Sequence, residues 1–356
     1  MTIIIFIIIL GVLVLAHEFG HFIVAKKFGV KVEEFAFGFP PTLWSKKKGD
    51  TTYMINLIPF GGYVKLFGED GSHVKDEKSF AHRAWWQRAF IIIAGIIMNL
   101  ILGGVCLAIA FIIGLPIISD QAASSYPYAQ ISQQILVYEI KAGSAAENVL
   151  QEGDEILALN GEKINDINEF KNTIQTMGVS EANLTIQRKK QTINISLPIE
   201  YSAEDNSYQL GTYLVAGQIV KYPFYLAIPM GFVEMIRILG AMIVAFYVII
   251  RDLIISFQAP SQIAGPVGIY KIAATASELG LVYLIQLTAI LNINLAIINL
   301  LPIPALDGGR LFFIIIEKIR GKKISDQIEN LIHTAGFLVI IGLIILVTIS
   351  DIKKFF

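Results

Sequence analysis

The stretch IIIFIIILGVLVLAHEFGH, residues 3–21, decides the fold of this chain. Its apolar part runs without a charge into three ionisable residues, His17, Glu18 and His21. Continued to about Lys26, the stretch is long enough to cross a bilayer as a helix, which takes roughly 20 residues. Ionisable side chains are costly inside a membrane, so three of them at the end of such a run indicate a functional site.

Three further stretches contain no Lys, Arg, Asp or Glu, namely residues 90–118, 279–306 and 331–350. The composition is 54% hydrophobic and 16% charged, whereas a soluble domain carries about 25% charged residues. A net charge of −1 argues against a nucleic-acid binder, and the one cysteine, Cys106, cannot form a disulfide within the chain. We therefore expect an α-helical multi-pass membrane protein with four transmembrane helices.

A fifth apolar segment, residues 238–250, lies between two arginines. Its uncharged part is short for a span, so we expect an interfacial or re-entrant helix that does not cross. Basic residues cluster at 46–48 and 310–323, and the positive-inside rule assigns both loops to the cytoplasm. With four crossings the chain then starts outside, and residues 119–221 lie on the extracytoplasmic side.

The region between the second and third spans has the composition of a soluble α/β domain. Asn160-Gly161 is a hairpin turn signal, and 167–177 has the apolar spacing of a helix. Gly143 to Ala146 is expected to open a short helix capped by Ser144. Alternating apolar residues predict strands at 135–140, 184–188 and 193–197, and residues 153–159 are predicted to be a turn that leads into a strand.

Residues 17–21 form the motif H-E-x-x-H. On a helix His17 and His21 face the same side, so both imidazoles can reach one zinc ion. Zinc lowers the pKa of water to about 7, and Glu18 can then act as a general base. The alternative is a pair of interfacial histidines beside a glutamate that extends to water.

A catalytic zinc usually takes three protein ligands, so one must come from another part of the chain. The third apolar stretch ends in NLLPIPALDGG, residues 299–309. Its prolines break the helix and its glycines permit unusual turns, a backbone tolerated at membrane depth only inside protein or beside a wet cavity. Asp307 is therefore a candidate ligand. The alternative is an ordinary helix end with a solvated Asp307.

Together the two motifs resemble the site-2 protease family. The resemblance rests on His17-Glu18-x-x-His21 and on Asn299-x-x-Pro302-x-Pro304-x-Leu306-Asp307-Gly308, and it runs along the whole chain. Residues 127–200 resemble a PDZ domain, with a generic small α/β domain as the alternative. An insert of this kind points to the bacterial branch, that of the regulator of sigma-E protease, with one PDZ domain.

The resemblance implies one zinc ion per chain, held by His17, His21 and Asp307, with Glu18 as the catalytic base. It also implies that Asn299 lies near the substrate and helps to hold its carbonyl.

Asn99 is a second polar residue inside an apolar stretch. Family members often have Gly-Pro-x-x-Asn at this point, whereas Ile96 replaces the proline here. Asn99 is assigned to substrate binding, and a hydrogen bond between helices is an equal alternative.

Residues 51–66 are predicted to form a β-hairpin. The resemblance implies a membrane-associated β-hairpin loop near the zinc. An exposed edge there, around Gly61 and Gly62, is expected to bind an unwound substrate by strand addition. An ordinary cytosolic hairpin is the alternative. His73 and His82 lack ligand spacing and are expected to be solvated.

The sequence therefore predicts an intramembrane zinc metalloprotease of the bacterial inner membrane, with its zinc site near the cytoplasmic side. Expected partners are transmembrane protein substrates, such as anti-sigma factors or remnant signal peptides, the lipid bilayer, and a peptide or protein segment at the PDZ-like domain. A catalytically silent membrane PDZ adaptor and a metal transporter are the alternatives, although neither needs a general base.

The predicted regions are an N-terminal membrane half (1–118), the PDZ-like domain (127–200), an amphipathic or re-entrant linker (221–277) and a C-terminal membrane half (278–356).

Overall fold

The computed structural model describes residues 2–71, 73–118, 125–164, 166–188, 191–202, 206–256, 265–322 and 324–355. The helices are α1 (Thr2–Lys27), α2 (Trp85–Ile113), α3 (Ile167–Met177), α4 (Phe224–Ser256), α5 (Pro266–Leu279), α6 (Leu281–Leu300), α7 (Asp307–Arg320) and α8 (Asp326–Phe355). The strands are β1 (Val32–Lys48), β2 (Thr51–Leu66), β3 (Leu115–Ile118), β4 (Gln130–Ile140), β5 (Glu155–Leu159), β6 (Glu162–Lys163), β7 (Glu181–Arg188), β8 (Gln191–Pro198), β9 (Glu200–Ser202), β10 (Ser207–Gln209) and β11 (Thr212–Lys221).

The chain divides into two compact units. The first comprises residues 1–108, 228–277 and 284–356, and it contains most of the apolar helices. The second comprises residues 109–227 and 278–283 and contains the larger β-sheet.

Among the described residues, five helices are long and apolar enough to cross a membrane, rather than the four expected. The additional helix is α4, whose 33 residues include the segment 238–250. The prediction that the helix at 238–250 is too short to span was therefore wrong, because the helix that contains this segment is 33 residues long. The two arginines do not end the helix. Arg237 pairs with Glu234 one turn earlier, Nη1 to Oε2 3.4 Å, and Arg251 pairs with Asp252, Nη2 to Oδ1 2.7 Å. Long basic side chains can also extend along a helix to water.

Helix α4 packs against α2 and α6 within the first unit. Gly231 permits a close approach to α2, since a Cβ at this position would lie 2.5 Å from the backbone nitrogen of Ala108. The same contact continues where Phe232 covers Gly104. The apolar cluster of the three helices includes Leu107, Met235, Ala289, Ile293 and Ile297.

Strands β1 and β2 form a folded sheet rather than the predicted hairpin within 51–66. Residues 34–37 pair with 52–55 on one side and with 62–65 on the other, while 42–48 pair with 51–56. The two halves of β2 are thus separated by β1 and do not pair with each other in this register. The chain can reverse at Gly38 and Gly61, whose φ angles are +79° and +129°. Residues 62–66, hereafter the edge strand, form one edge of this sheet.

The second unit contains a sheet in the order β3-β11-β4-β5-β7-β8, with β6 paired to β5. The sequence-based strands match β4, β5, β7 and β8, and helix α3 covers the predicted residues 167–177. Asp166 caps α3 by accepting hydrogen bonds from the backbone of Asn168 and Glu169. The sheet extends beyond residue 200, because β11 pairs with β4 along its length. Its core includes Ile135, Ile156, Phe170, Leu184 and Ile186.

The predicted short helix at Gly143 to Ala146 is absent, and consecutive turns take its place. The Ser144 hydroxyl donates to the carbonyl of Gly211, Oγ to O 3.1 Å, instead of capping a helix. The backbone N–H of Gly143 donates to Glu147 Oε2 at 2.7 Å. Side-chain bonds of this kind compete with helix formation in a short segment.

Candidate metal centre

Helix α1 supplies two imidazoles and helix α7 begins with a carboxylate, and these three groups meet in the first unit. His17 and His21 are one turn apart, so their rings share a face of α1. Nε2 of His17 lies 2.9 Å from Oδ2 of Asp307, and Nε2 of His21 lies 3.3 Å from the same oxygen. The two ring nitrogens are 3.2 Å apart. The structure thus groups the three residues that the sequence suggested as ligands.

The segment 301–306 between α6 and α7, hereafter the ligand loop, determines where Asp307 lies. Leu306 is extended, with φ −102° and ψ 165°, and the helix begins at the next residue. The first turn of α7 lies against the loop because two glycines follow the ligand. A Cβ on Gly308 would lie 2.2 Å from the carbonyl oxygen of Leu301, and one on Gly309 would lie 2.4 Å from that of Ile303.

The donor atoms of this group fit a zinc ion. Nδ1 of His21 lies 2.8 Å from the carbonyl oxygen of Ile91, so Nδ1 holds the proton and the lone pair is on Nε2. Oδ2 of Asp307 is buried and has no hydrogen-bond partner within the described chain, although two ring nitrogens lie close to it. Two imidazoles and one carboxylate are a frequent catalytic zinc set, and these three side chains can therefore hold such an ion.

Two asparagines contact His17 from neighbouring helices. Nδ2 of Asn99 lies 3.2 Å from Nδ1 of His17, and Nδ2 of Asn299 lies 3.5 Å from its Nε2. Oδ1 of Asn99 is buried without a partner in the described ranges. Rotation of the Asn99 amide by 180° would let this oxygen accept from Nδ1–H of His17, the second contact that ligating histidines normally make. Asn99 therefore lies beside the metal group, as does Asn299.

Gly95 of α2 provides the space that the two imidazoles occupy, and the sequence argument assigned it no role. A Cβ at this position would lie 2.4 Å from Nε2 of His21 and 2.9 Å from Cε1 of His17. The helices approach closely here, since a Cβ on Gly20 would lie 2.3 Å from the carbonyl oxygen of Ala94. The spacing in the sequence offered a clue, because Gly95 precedes Asn99 by one helical turn on the same face of α2.

Glu18 lies between the metal group and the edge strand. A Cβ on Gly62 would lie 2.8 Å from the carbonyl oxygen of Ala36 in β1 and 3.1 Å from Cγ1 of Val14 in α1, so a larger residue would crowd both. Cγ of Glu18 would be in ordinary contact at 3.6 Å. The backbone of Val64 lies close to the Glu18 carboxylate. Gly61, by contrast, lies at the chain reversal, where its nearest neighbour is the ring of Phe39.

A cavity of about 840 Å³ opens on the metal group. His17, Glu18, His21 and Asp307 line it. The other walls come from the edge strand and the loop that follows it, from helices α2 and α7, and from the start of α8. The cavity therefore joins the metal group, the candidate base and a strand edge in one space.

Ion pairs tie helix α7 to its neighbours around this cavity. Arg88 Nη2 lies 3.0 Å from both carboxylate oxygens of Glu317, and Arg310 pairs with Glu69. His73 and His82 are exposed and are not part of the metal group, although His73 lines the cavity and its ring stacks on Phe67.

The family model for peptidase family M50 matches residues 5–343. A candidate zinc metalloprotease of Clostridium perfringens is 34% identical over 343 residues, which cover 96% of this chain and 95% of the relative. The regulator of sigma-W protease RasP of Bacillus subtilis is 29% identical over 435 residues, covering 100% and 99%. The PDZ domain of an SdrC-like protein from Listeria monocytogenes covers 22% of this chain and 85% of its own, with 18% identity and a TM-score of 0.22.

The family match includes both segments that supply the metal group, residues 17–21 and 299–309. The resemblance to site-2 proteases that these motifs suggested is thereby confirmed. This chain belongs to peptidase family M50 and is a membrane-embedded metalloprotease.

Proposed function

We propose that this protein hydrolyses a peptide bond within the transmembrane segment of another membrane protein. His17, His21 and Asp307 hold one zinc ion, and Glu18 is the general base. The observation that carries the proposal is the convergence of three ligand atoms beside the Glu18 carboxylate, with both histidines on a helix long and apolar enough to cross a membrane. When bound, zinc acts as a Lewis acid that lowers the pKa of water to about 7.

Glu18 moves the proton in this proposal. Its carboxylate takes a proton from the attacking water and later gives it to the leaving amine, which balances the hydrolysis. Glu18 and Val64 both line the wall of the cavity. Asn99 fixes the ring of His17 through Nδ1, and Asn299, beside Nε2, is near enough to the metal group to hold the substrate carbonyl.

The edge strand is the proposed substrate platform. A transmembrane helix hides its amides in internal hydrogen bonds, so the substrate must unwind before attack. An unwound segment can pair with residues 62–66 through backbone hydrogen bonds. The support for this role is that Tyr63 to Leu66 line the same cavity as Glu18 and that Gly62 lies against this residue.

We propose four crossings, with α4 inclined instead of crossing completely. Gly231 packs on Ala108, about 20 Å along α2 from Gly95 at the metal group. Gly265 contacts Asp351, about 22 Å along α8 from Gly336 at the ligand loop. The contact of α4 with α2, and the contact of Gly265 with α8, therefore both lie far from the metal group.

The length of the connecting chain supports the same topology. The residues from Ser256 to Gly265 can reach at most about 32 Å. If α4 ran straight across the membrane, its 33 residues would extend about 50 Å. The segment from Ser256 to Gly265 would then be too short to bring the chain back to the level of Asp351. With four crossings the metal centre lies near the cytoplasmic side, and the PDZ-like domain lies outside.

The substrates we propose are anti-sigma factors or remnant signal peptides in regulated proteolysis. The name of the Bacillus subtilis relative, a regulator of sigma-W protease, supports this class. The PDZ-like domain then binds a peptide segment or excludes substrates with large ectodomains. The bacterial inner membrane is the proposed location.

Replacing Glu18 with Gln tests the proposal. We expect bound zinc to be retained and cleavage of a model transmembrane substrate to fall by at least about 100-fold, because general bases contribute about 10²–10⁴. Zinc is measured on purified protein, and cleavage in detergent and in liposomes. Glu162→Gln, at an exposed position in β6, is the matched control.

Unchanged cleavage by Glu18→Gln would refute the mechanism, and a parent protein without zinc would refute the metal assignment. Substrate binding without cleavage by the parent would favour the adaptor. Zinc movement across liposomes without cleavage would favour the transporter.

A further inference from the structure

Helix α8 holds the ligand loop at two points one turn apart. Nδ1 of His333 accepts a hydrogen bond from the backbone N–H of Ala305 at 2.8 Å. Gly336 lies so close to the loop that a Cβ there would be 2.5 Å from Cβ of Pro304. Residues three apart share a helix face, so this face of α8 is fitted to the loop.

The backbone that His333 contacts is in an unfavourable conformation. Ala305 has φ +76°, in the left-handed region that non-glycine residues rarely adopt. Such a conformation persists only where the surroundings hold it in place. Ala305 is two residues before Asp307, so the direction of the chain at Ala305 determines where the carboxylate points.

We propose that His333 is a positioning residue for the metal ligand Asp307. This inference rests on the zinc site proposed above. The imidazole accepts the Ala305 N–H and thereby keeps the ligand loop in the one conformation that directs Asp307 towards His17 and His21. His333 does not contact the reacting atoms in this role; it acts through the loop.

The surroundings of the His333 imidazole are those of a ring that makes one structural hydrogen bond, through Nδ1. Nε2 of His333 is buried and makes no hydrogen bond to any described residue. The ring packs against Phe313 of α7, with the centroids 5.4 Å apart. If packing alone explained the histidine, an apolar side chain of similar size would serve equally well. Such a side chain lacks a hydrogen-bond acceptor at the position of Nδ1.

The test compares His333→Leu with His333→Asn in the full-length protein. Asn can place Oδ1 where Nδ1 accepts, whereas Leu fills the space without an acceptor. We expect Leu to weaken zinc binding by about 10–100-fold, as for lost supporting contacts at metal sites, and Asn to remain within about threefold of the parent. Zinc affinity is measured by chelator competition, and His82→Leu in the exposed loop is the control.

Kinetics with saturating zinc separate positioning from substrate binding. His333→Leu should lower kcat on a transmembrane substrate and leave KM unchanged. Equal losses in the Leu and Asn variants, or parent-like zinc affinity in the Leu variant, would overturn the proposal. If the parent itself binds no zinc, the proposed function fails instead, which is a different result.

A second variant keeps the test decisive if His333→Leu is unstable. Glycine adopts positive φ without strain, so Ala305→Gly should reduce the need for the His333 bond. We expect Ala305→Gly to restore zinc affinity at least tenfold in the His333→Leu background and to change it little in the parent. Absence of rescue would overturn the proposal.

Discussion

The two halves of the metal centre are constructed differently. One half is a regular helix, in which His17 and His21 share a face and each Nδ1 has a neighbour on α2, Asn99 or Ile91. The other half is the ligand loop, whose Asp307 leaves Oδ2 without a hydrogen bond from the described residues. The first half depends on spacing within one helix and on its contact with α2, whereas the second depends on contacts spread over several elements.

This difference indicates where each half is vulnerable. The helical half has no spare volume, because Gly95 and Gly20 bring α1 and α2 into backbone contact. The loop half is held by several weaker contacts, from α8 at Ala305 and Pro304 and from α2 at Glu317. Added bulk should therefore harm the first half most, while loss of any single contact should harm the second half less.

The largest expected effect is that of Gly95→Ala. Its Cβ would lie 2.4 Å from Nε2 of His21, so the ligand must leave its position or α2 must move away. Lost supporting contacts at metal sites cost up to about 100-fold in affinity. We expect Gly95→Ala to lower zinc affinity by more than this and to abolish cleavage. Metal content and chelator competition measure this effect.

Gly240→Ala in α4 is the matched control, because a Cβ there meets no atom within 4 Å. In a helix interior this change should be neutral or stabilising by up to about 1 kcal/mol. Parent-like zinc binding by Gly95→Ala would show that the α1–α2 contact is looser than the structure indicates.

The helical half could be predicted from the sequence because its information is local. The spacing of His17 and His21 fixes their shared face, and the uncharged run before them identifies the membrane. The pairing with Asp307 was expected from the zinc ligand count and from family resemblance. The contributions of Gly95 and His333 depend on contacts between distant segments; the spacing of Gly95 from Asn99 only hints at the first, and the sequence gives no sign of the second.

Two of the three errors of fold have related physical causes. Helix α4 was taken to be short because Arg237 was treated as its end, although the pair with Glu234 keeps the charge within the helix. Residues 51–66 were taken as a hairpin because local alternation cannot show that β1 pairs with both halves of β2. In each case a contact outside the segment decided the outcome.

A smaller effect is expected from Asn99→Ala, which removes the neighbour of His17 Nδ1 without adding bulk. Loss of a supporting contact at a metal ligand typically costs about 10–100-fold in affinity. Zinc binding should therefore fall into this range, below the effect at Gly95. Asn99→Asp should retain more affinity than Asn99→Ala, because the carboxylate can accept from Nδ1–H.

Asn292→Ala is the matched control for Asn99. Asn292 is also buried in the membrane helices, but its Nδ2 donates to Thr288 of its own helix at 2.8 Å. Its loss should change stability and leave zinc affinity unchanged. Similar zinc losses at both asparagines would mean that Asn99 acts through helix packing, as in the alternative based on hydrogen bonds between helices.

The smallest effect is expected from the ion pair between Arg88 and Glu317, which connects α2 to helix α7. The side chains are 11% and 25% exposed, so the pair is only partly screened by solvent. It lies almost three turns along α7 from Asp307, and the ligand loop keeps its own contacts with α8. We expect Arg88→Met and Glu317→Gln each to lower zinc affinity by fivefold or less, equivalent to about 1 kcal/mol.

A double-mutant cycle decides whether the pair acts as a unit. The combined variant should lose less affinity than the sum of the two single variants, because each single change leaves one charge without its partner. Glu234 and Arg237 of α4 provide the control pair, since they interact within one helix at 3.4 Å. A loss as large as that of Asn99→Ala would show that one distant contact holds the loop half, and the contrast between the two halves would then be wrong.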